Sequence, residues 1–179
     1  MIMQRESSIR VVLTGPESSG KSSLVSHLAA RFRVPFALEY ARFYLEKHGP
    51  AYDLPLLLNL SRSHRAYQRR RVPIASPVGL FDTDLINYKI WCEVVYGACP
   101  PEILKPLEKE SNHVYLLCAP DLRWESDPLR ESEHDRPLLF ERHRLEIERR
   151  QRPYFVIEGQ GPARIACAEA AYRKLTGAC

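Results

Sequence analysis

The sequence predicts an α/β fold, a three-layer sandwich in which helices cover both faces of a five-stranded parallel sheet. Short apolar runs alternate with stretches of helical periodicity along most of the 179 residues, which is the pattern of strand-helix-strand units. The first apolar run leads directly into a glycine-rich turn and a helix. A chain of this length suffices for one such domain, so we expect residues 1–179 to form a single domain.

Composition is that of a globular protein from a reducing compartment. Hydrophobic residues make up 45% and charged residues 27% of the chain, and no apolar run is long enough to cross a bilayer. The five cysteines are scattered and form no Cys-x-x-Cys pair, which favours reduced thiols over disulfides or zinc. A net charge of +4 is small for a nucleic-acid binder. We therefore expect a cytoplasmic protein without nucleic-acid or membrane partners, and the oligomeric state is left open.

The glycine-rich turn, residues 15–22, has the pattern Gly-x-x-x-x-Gly-Lys-Ser of a phosphate-binding loop. It lies between a β-branched run, Ile9–Leu13, and a helix predicted for residues 22–32. Lys21 is expected to face solvent until it reaches the β- and γ-phosphates of ATP, and the Ser22 hydroxyl to bind Mg²⁺. The expected nucleotide contacts are Gly15, Glu17, Ser18, Ser19, Gly20, Lys21, Ser22 and Ser23, with Ser18 and Ser19 mainly shaping the loop.

Two later strands are predicted to end in carboxylates. Val34–Leu38 is followed by Glu39, and Val78–Phe81 by Asp82. In open parallel sheets ligands bind outside the carboxyl ends of the strands, so both acids should face the phosphate loop. Asp82 is placed like the Mg²⁺-binding acid of a Walker B strand, and Glu39 is the candidate base that accepts a proton from the phosphate acceptor. The sequence leaves open which of the two is the base, and Glu39 could instead cap the next helix.

The remaining elements follow from periodicity. Helices are expected over residues 41–48, 54–71, 86–96, 102–109 and 138–149, a last helix ends near residue 176, and strands are expected over 113–118 and 153–157. The basic residues that close the 54–71 helix are interpreted as a solvated helix end, because cations there are favourable to the dipole. Tyr88 and Trp91 could line a pocket or fill the core, and we assign Trp91 to the core.

A polar, proline-punctuated segment, residues 119–136, carries three arginines and precedes a predicted helix. Such a segment is typical of a lid that closes over a phosphotransferase site, the alternative being an ordinary charged loop. Arg130 is expected to stabilise the transferring phosphoryl group and Arg123 to bind the nucleotide. Arg164 follows the last strand and is expected to contact the nucleoside end of ATP.

Four motifs together resemble the ribosylnicotinamide kinase family, and more narrowly the kinase domain at the C-terminus of bifunctional NAD-salvage regulators. They are Gly15–Ser22, Glu39-Tyr-Ala-Arg42, Phe81-Asp-Thr-Asp84 and Pro120–Arg130. The resemblance implies a P-loop kinase-like fold, ATP and Mg²⁺ as cofactors, and phosphorylation of the ribose 5′-hydroxyl of nicotinamide riboside. We assign the binding of this nucleoside-like acceptor to Glu39, Tyr40, Arg42, Asp84 and Tyr88. The H-x-G-H signature of an adenylyltransferase does not occur, so we expect the kinase part alone.

Other functions stay open at this point. A different nucleoside kinase or a nucleoside-monophosphate kinase would also place an acid at the second strand end and arginines in a lid. A regulatory module that binds ATP without transferring phosphate is a further alternative. A GTP-binding switch is disfavoured, because residues 118–121 lack the guanine-reading Asn-Lys-x-Asp pattern.

Overall fold

Five strands form one sheet in the computed structural model, which describes residues 8–129 and 133–178. The strands are β1 (Ile9–Thr14), β2 (Phe36–Ala37), β3 (Val78–Asp82), β4 (His113–Cys118) and β5 (Tyr154–Ile157). Their order across the sheet is β2-β3-β1-β4-β5, and every neighbouring pair is parallel. The predicted five-stranded parallel sheet is therefore confirmed.

Helices connect the strands close to the predicted places. Within the described ranges they are α1 (Lys21–Phe32), α2 (Tyr40–His48), α3 (Leu54–Arg71), α4 (Leu85–Tyr96), α5 (Pro101–Glu108), α6 (Arg136–Arg149) and α7 (Gly161–Thr176). Local chemistry sets several of their ends. Asp53 accepts a hydrogen bond from Leu56 N at 2.8 Å before α3, and Gly97 ends α4 in the left-handed conformation with φ 78°. Among the described residues, no helix combines the length and the apolar character needed to cross a membrane.

Two hydrophobic clusters fill the space on the two faces of the sheet. Val11 and Leu13 of β1 point to one face and pack with residues of α1 and α7, among them Leu28 and Tyr172. Val12, between them in the chain, points to the other face and belongs to a cluster built from α3, α4, α5 and α6. Alternation along a strand that is buried on both faces explains why the strands read as continuous apolar runs.

The register of the sheet brings the functional strand ends together. Leu13 pairs with Asp82 of β3 and with Leu116 of β4, and Ala37 of β2 pairs with Phe81. The residues that follow β1, β2 and β3 therefore emerge at the same edge of the sheet.

Candidate active site

The phosphate loop owes its shape to two glycines and a buried serine. Gly15 has φ 128°, and a Cβ there would lie 2.6 Å from the carbonyl oxygen of Cys118. Gly20 has φ 77° and forms the N-cap of α1. Ser19 Oγ donates to the carbonyl oxygen of Pro16 at 2.7 Å, so this serine shapes the loop as predicted. Side chains at either glycine would strain the turn that opens the helix.

Lys21 turns inward instead of facing solvent. Its Nζ donates to the carbonyl oxygens of Gly15 at 3.0 Å and Pro16 at 2.7 Å, and the residue is half-buried. The expectation that Lys21 faces solvent is thus wrong, because its ammonium group lies within hydrogen-bond distance of two loop carbonyls. The lysine helps to hold the loop and would exchange these carbonyls for phosphate oxygens.

Ser22 and Asp82 form a direct pair between the loop and β3. Ser22 Oγ donates to Asp82 Oδ2 at 2.5 Å, and Asp82 is fully buried. Burial raises the pKa of Asp82, against the opposing effects of Lys21 and of the Ser22 hydrogen bond. Asp82 Oδ1 is buried without a hydrogen-bond partner among the described residues. A hydroxyl beside a carboxylate with one unused oxygen fits the oxygen-donor set that Mg²⁺ requires.

Glu39 lies at the start of α2 and points into the same region. It occupies the N-cap position of α2, but its side chain makes no capping hydrogen bond. Burial raises the pKa of Glu39 to about 7, and the Asp82 carboxylate adds to this shift while Lys21 and Arg42 oppose it. A carboxyl group with a pKa near neutrality is suited to accept a proton and release it again.

A cavity of about 700 Å³ runs from the phosphate loop to α2 and α4. Its far end is apolar and aromatic, with Ile90, Trp91 and Val94 on one wall and Tyr52 across from them. The rings of Trp91 and Tyr52 meet edge to face, with centroids 4.9 Å apart. The predicted site residues that line the cavity are Gly15, Glu17, Ser18, Ser19, Gly20, Lys21, Ser22, Ser23, Glu39, Arg42, Arg123 and Arg164.

Asp84 does not contact the cavity, contrary to the prediction that it binds the acceptor. Its carboxylate accepts hydrogen bonds from Ile86 N at 2.9 Å, His113 Nδ1 at 3.0 Å and Tyr115 Oη at 2.7 Å. The side chain is 1% exposed. Burial alone would raise the pKa of Asp84, but the hydrogen bonds from His113 and Tyr115 lower it. Asp84 caps α4 and anchors β4, and its oxygens are already used.

Tyr88 and Tyr40 were also predicted to bind the acceptor and lie elsewhere. Tyr88 is fully buried, and its hydroxyl donates to the carbonyl oxygen of Leu60 at 3.5 Å. The Tyr40 ring packs at 5.8 Å from the Tyr67 ring and lies outside the cavity wall. Trp91, assigned to the core, packs against the core cluster with one side and also lines the cavity. Tyr88 and Trp91 are three residues apart on α4, and Trp91 lines the cavity whereas Tyr88 is buried behind it.

Arg164 braces the phosphate loop from below. Its guanidinium donates to Asp121 Oδ1 at 2.6 Å and to the carbonyl oxygens of Gly159 at 3.1 Å, Ser19 at 2.8 Å and Ala119 at 3.1 Å. The residue is 4% exposed. These four acceptors use both terminal nitrogens, but Arg164 also lines the cavity, so its contact with the nucleoside end of ATP stays a prediction.

The first half of the predicted lid lies against the loop and α2. Ser18 Oγ donates to Glu125 O at 3.4 Å and accepts from Glu125 N at 3.3 Å, so Ser18 does more than shape the loop. Arg42 forms an ion pair with Asp127 and also donates to Glu46 Oε1 at 2.7 Å. Arg130 lies outside the described residues, and the nucleotide contact of Arg123 stays a prediction.

Several cavity residues were missed from the sequence. Asn87, Ile90, Trp91 and Val94 share one face of α4 at helical spacing, and two residues separate the end of β3 from the start of α4. A search of the helix after the Walker B strand could have found this face. His143 of α6 also borders the cavity, with burial lowering its pKa to about 4. Its position depends on tertiary packing, and no local pattern marks it.

Comparison with known proteins supports a phosphate-loop site. A family model described as an AAA domain matches residues 10–164. The trifunctional NAD biosynthesis/regulator proteins NadR of Escherichia coli (strain K12) and Salmonella typhimurium (strain LT2) are each 29% identical over 124 residues. These matches cover 67% of this chain and 30% of each relative. The chain thus matches less than a third of these relatives.

Solved structures show the same fold. NadR in complex with NR matches with a TM-score of 0.82 and 21% identity over 97% of this chain and 52% of that one. NadR in complex with NAD and AMP-PNP matches with a TM-score of 0.74 at 21% identity, over 97% and 51%. Shikimate kinase from Aquifex aeolicus matches with a TM-score of 0.51 at 19% identity, over 94% and 97%. The fold is P-loop kinase-like, and the resemblance to NAD-salvage regulators is confirmed. Since the family model spans well over half of its residues, the chain belongs to the AAA domain family.

Proposed function

We propose that this protein is an ATP-dependent kinase that phosphorylates the ribose 5′-hydroxyl of nicotinamide riboside. One observation carries the proposal: Glu39, whose pKa is about 7, shares a single cavity with the phosphate loop and an aromatic far end. Phosphate-binding and proton-accepting groups therefore face the same space. A module that only bound ATP would have no need of a positioned base.

The cavity has a small-molecule volume and two chemically different ends. Its volume of about 700 Å³ is within the range of about 300–1,000 Å³ found for small-molecule sites. The phosphate loop supplies the end for ATP, and α2 and α4 supply the end for the acceptor. Nicotinamide riboside carries a flat, positively charged ring, and the electron-rich faces of Trp91 and Tyr52 favour such a ring. Asn87, on the same wall, offers an amide to a polar ring substituent.

In the proposed reaction Glu39 accepts the proton of the acceptor hydroxyl as its oxygen attacks the γ-phosphorus of ATP. The bond from that phosphorus to the bridging oxygen breaks, and ADP leaves. Lys21 neutralises charge on the transferring group, and closure of residues 119–136 excludes water. Mg²⁺, held by Ser22 and Asp82, would neutralise charge on the β- and γ-phosphates.

The relatives support the acceptor and the nucleotide. The structure matched with the higher TM-score is a NadR protein in complex with NR, and another NadR complex holds AMP-PNP. The two NadR relatives from Escherichia coli and Salmonella typhimurium are named as NAD biosynthesis/regulator proteins.

ADP release across a panel of acceptors tests the proposal. Nicotinamide riboside, other nucleosides and nucleoside monophosphates are each added to protein, ATP and Mg²⁺, and the product is identified by mass spectrometry. We expect nicotinamide riboside to stimulate ADP release and to gain one phosphate, and Lys21→Ala to remove the stimulation. Stimulation by another acceptor alone would reassign the substrate. ATP binding without stimulation by any acceptor would favour the regulatory module.

A further inference from the structure

His64 lies in the middle of α3 and is fully buried. Its Nδ1 accepts a hydrogen bond from the backbone N–H of Tyr40 at 3.2 Å, and its Nε2 lies 3.4 Å from the carbonyl oxygen of Thr83. Burial lowers the pKa of His64 to about 4, so the imidazole is neutral at physiological pH. With Nδ1 facing a donor, the ring proton must sit on Nε2, which donates to Thr83.

Thr83 needs this support because its backbone is strained. It has φ 65°, a left-handed conformation that β-branched residues rarely adopt. Its N–H donates to Leu13 O at 2.9 Å, and its carbonyl oxygen also accepts from Gln68 Nε2 at 3.0 Å. Thr83 directly follows Asp82, so the hydrogen bonds that fix Thr83 also fix the direction in which Asp82 leaves β3.

The sheet cannot hold Glu39 in the same way. β2 pairs with β3 only through Phe36 and Ala37, so the ladder of backbone hydrogen bonds ends before Glu39. Tyr40, the next residue, is the one whose N–H reaches His64. A single ring thus spans the gap between the ends of β2 and β3. The Tyr88 ring packs against it with centroids 5.4 Å apart and limits its movement.

We propose that His64 is a positioning residue that holds the Glu39 and Asp82 carboxylates at their working separation, an inference that rests on the proposed kinase function. His64 does not line the cavity. Its two nitrogens act on two different catalytic groups, Nδ1 through Tyr40 on the base and Nε2 through Thr83 on the magnesium-binding acid.

Two variants separate the two bonds. In His64→Gln the amide group lies where Nε2 was and can still donate to Thr83, while the bond to Tyr40 is lost. In His64→Asn the side-chain oxygen lies where Nδ1 was and can still accept from Tyr40, while the bond to Thr83 is lost. His48→Gln, the same change at an exposed histidine of α2, is the matched control.

The two hydrogen bonds of His64, to Tyr40 and to Thr83, are tested by different measurements. The Asp82 end is measured as the gain in ATP affinity on adding Mg²⁺, by isothermal titration calorimetry. The Glu39 end is measured as kcat and as the carboxyl ¹³C chemical shift of Glu39 against pH. A misplacement of about 1 Å can cost about a hundredfold in rate. We therefore expect His64→Gln to lower kcat by about ten- to a hundredfold and to shift the Glu39 titration, with a smaller effect on the Mg²⁺ gain. His64→Asn should show the reverse order of effects.

The proposal would be overturned if both variants lost kcat and the Mg²⁺-dependent gain in ATP affinity equally, in proportion to the fall in Tm. His64 would then have a structural role only. If neither variant folds, Gln68→Leu removes a donor to Thr83 alone and should weaken the Mg²⁺ gain without moving the Glu39 titration. An unchanged Mg²⁺ gain in that variant would also overturn it. If wild-type protein binds ATP but phosphorylates no acceptor, the kinase function fails, and the calorimetric and NMR readouts still test the link.

Discussion

Ser22 and Asp82 are joined by a hydrogen bond of 2.5 Å that spans the phosphate loop and β3. The bond sets the two groups that would hold Mg²⁺ side by side in the protein without nucleotide. Ser22, through its hydroxyl oxygen, and Asp82 would hold the ion, and Asp82 Oδ1 is buried without a hydrogen-bond partner among the described residues.

Asp82→Asn is expected to abolish the Mg²⁺-dependent gain in ATP affinity, because an amide is a poor ligand for the ion. The fold should be retained, since Asp82 is a buried carboxylate whose pKa is raised by burial and an amide avoids that desolvation. Calorimetric titration of ATP with and without Mg²⁺ measures the effect. Asp84→Asn is the matched control, and it should lower Tm while leaving the Mg²⁺ gain largely in place. A variant Asp82→Asn with unchanged Mg²⁺ dependence would assign the ion to other residues.

Glu39→Gln is expected to lower kcat by about a hundred- to ten-thousandfold, the usual loss for a positioned base. ATP affinity should stay near that of the wild type, because Glu39 lies at the acceptor side of the loop. Steady-state kinetics and ATP titration give the two quantities. If kcat is retained while Asp82→Asn loses turnover but not Mg²⁺ affinity, the roles are reversed and Asp82 is the base.

The pKa of Glu39, raised by burial from 4.5 to about 7, predicts a pH dependence of both rate and stability. A base must be deprotonated, so kcat/KM should fall as pH drops below about 7. The sign for stability is opposite, because the folded state holds the Glu39 proton more tightly than the unfolded state. This contribution is fully present below pH 4.5 and is lost as pH rises through 7. Denaturant titrations of wild type and Glu39→Gln over this range should converge at low pH. If the free energies of unfolding of the two proteins run parallel over this pH range, the pKa of Glu39 is not raised by folding.

Trp91→Leu is expected to raise the KM for the acceptor by about tenfold, because it removes the aromatic wall while keeping an apolar side chain. ATP affinity should change little, since Trp91 lies at the far end of the cavity. Tyr88→Phe is the matched control on the same helix. Tyr88 is fully buried and does not line the cavity, and its hydroxyl donates to Leu60 O at the long distance of 3.5 Å, so acceptor KM should be unchanged. Acceptor kinetics at saturating ATP decide between the two outcomes.

Residues 119–136 are expected to exchange backbone hydrogens faster in the free protein than with ATP and acceptor bound, as a lid would. Hydrogen-exchange mass spectrometry reads this segment directly. Arg42→Ala, which removes the ion pair with Asp127, should speed exchange in the free protein. Among the arginines of the segment we expect Arg130 to affect kcat most. Equal exchange with and without ligands would leave an ordinary loop in place of a lid.

The fold and the phosphate end of the site could be predicted because they depend on local patterns. Apolar runs and helical periodicity placed β4 and α3 at their observed residues. The glycines of the Gly15–Ser22 pattern are required by the backbone geometry of the phosphate loop, so the pattern predicts the loop directly. The ends of β2 and β3 were also predictable, because parallel strands bring Glu39 and Asp82 to one edge.

The acceptor end could not be predicted in the same way, because it depends on which face each helix turns toward the cavity. Tyr88 and Trp91 are both aromatic residues of α4, and only packing against α3 and the sheet decides which one faces the cavity. The prediction that Asp84 binds the acceptor failed for a related reason. The sequence around an acid at a strand end does not show whether its carboxylate will contact a ligand or other side chains. The Asp84 carboxylate contacts His113 and Tyr115 of β4.

Because Arg164 stabilises the phosphate loop, nucleotide binding and acceptor selectivity depend on different parts of the proposed site. A buried guanidinium fixes the backbone of the phosphate loop from the side of α7, whereas side chains of α2 and α4 form the far wall of the cavity. Under the proposed kinase function, substitutions at Asn87, Trp91 or Val94 are expected to change acceptor selectivity while ATP affinity stays constant. Libraries for new acceptor selectivity are best confined to this face of α4, with residues 15–22 and Arg164 left untouched.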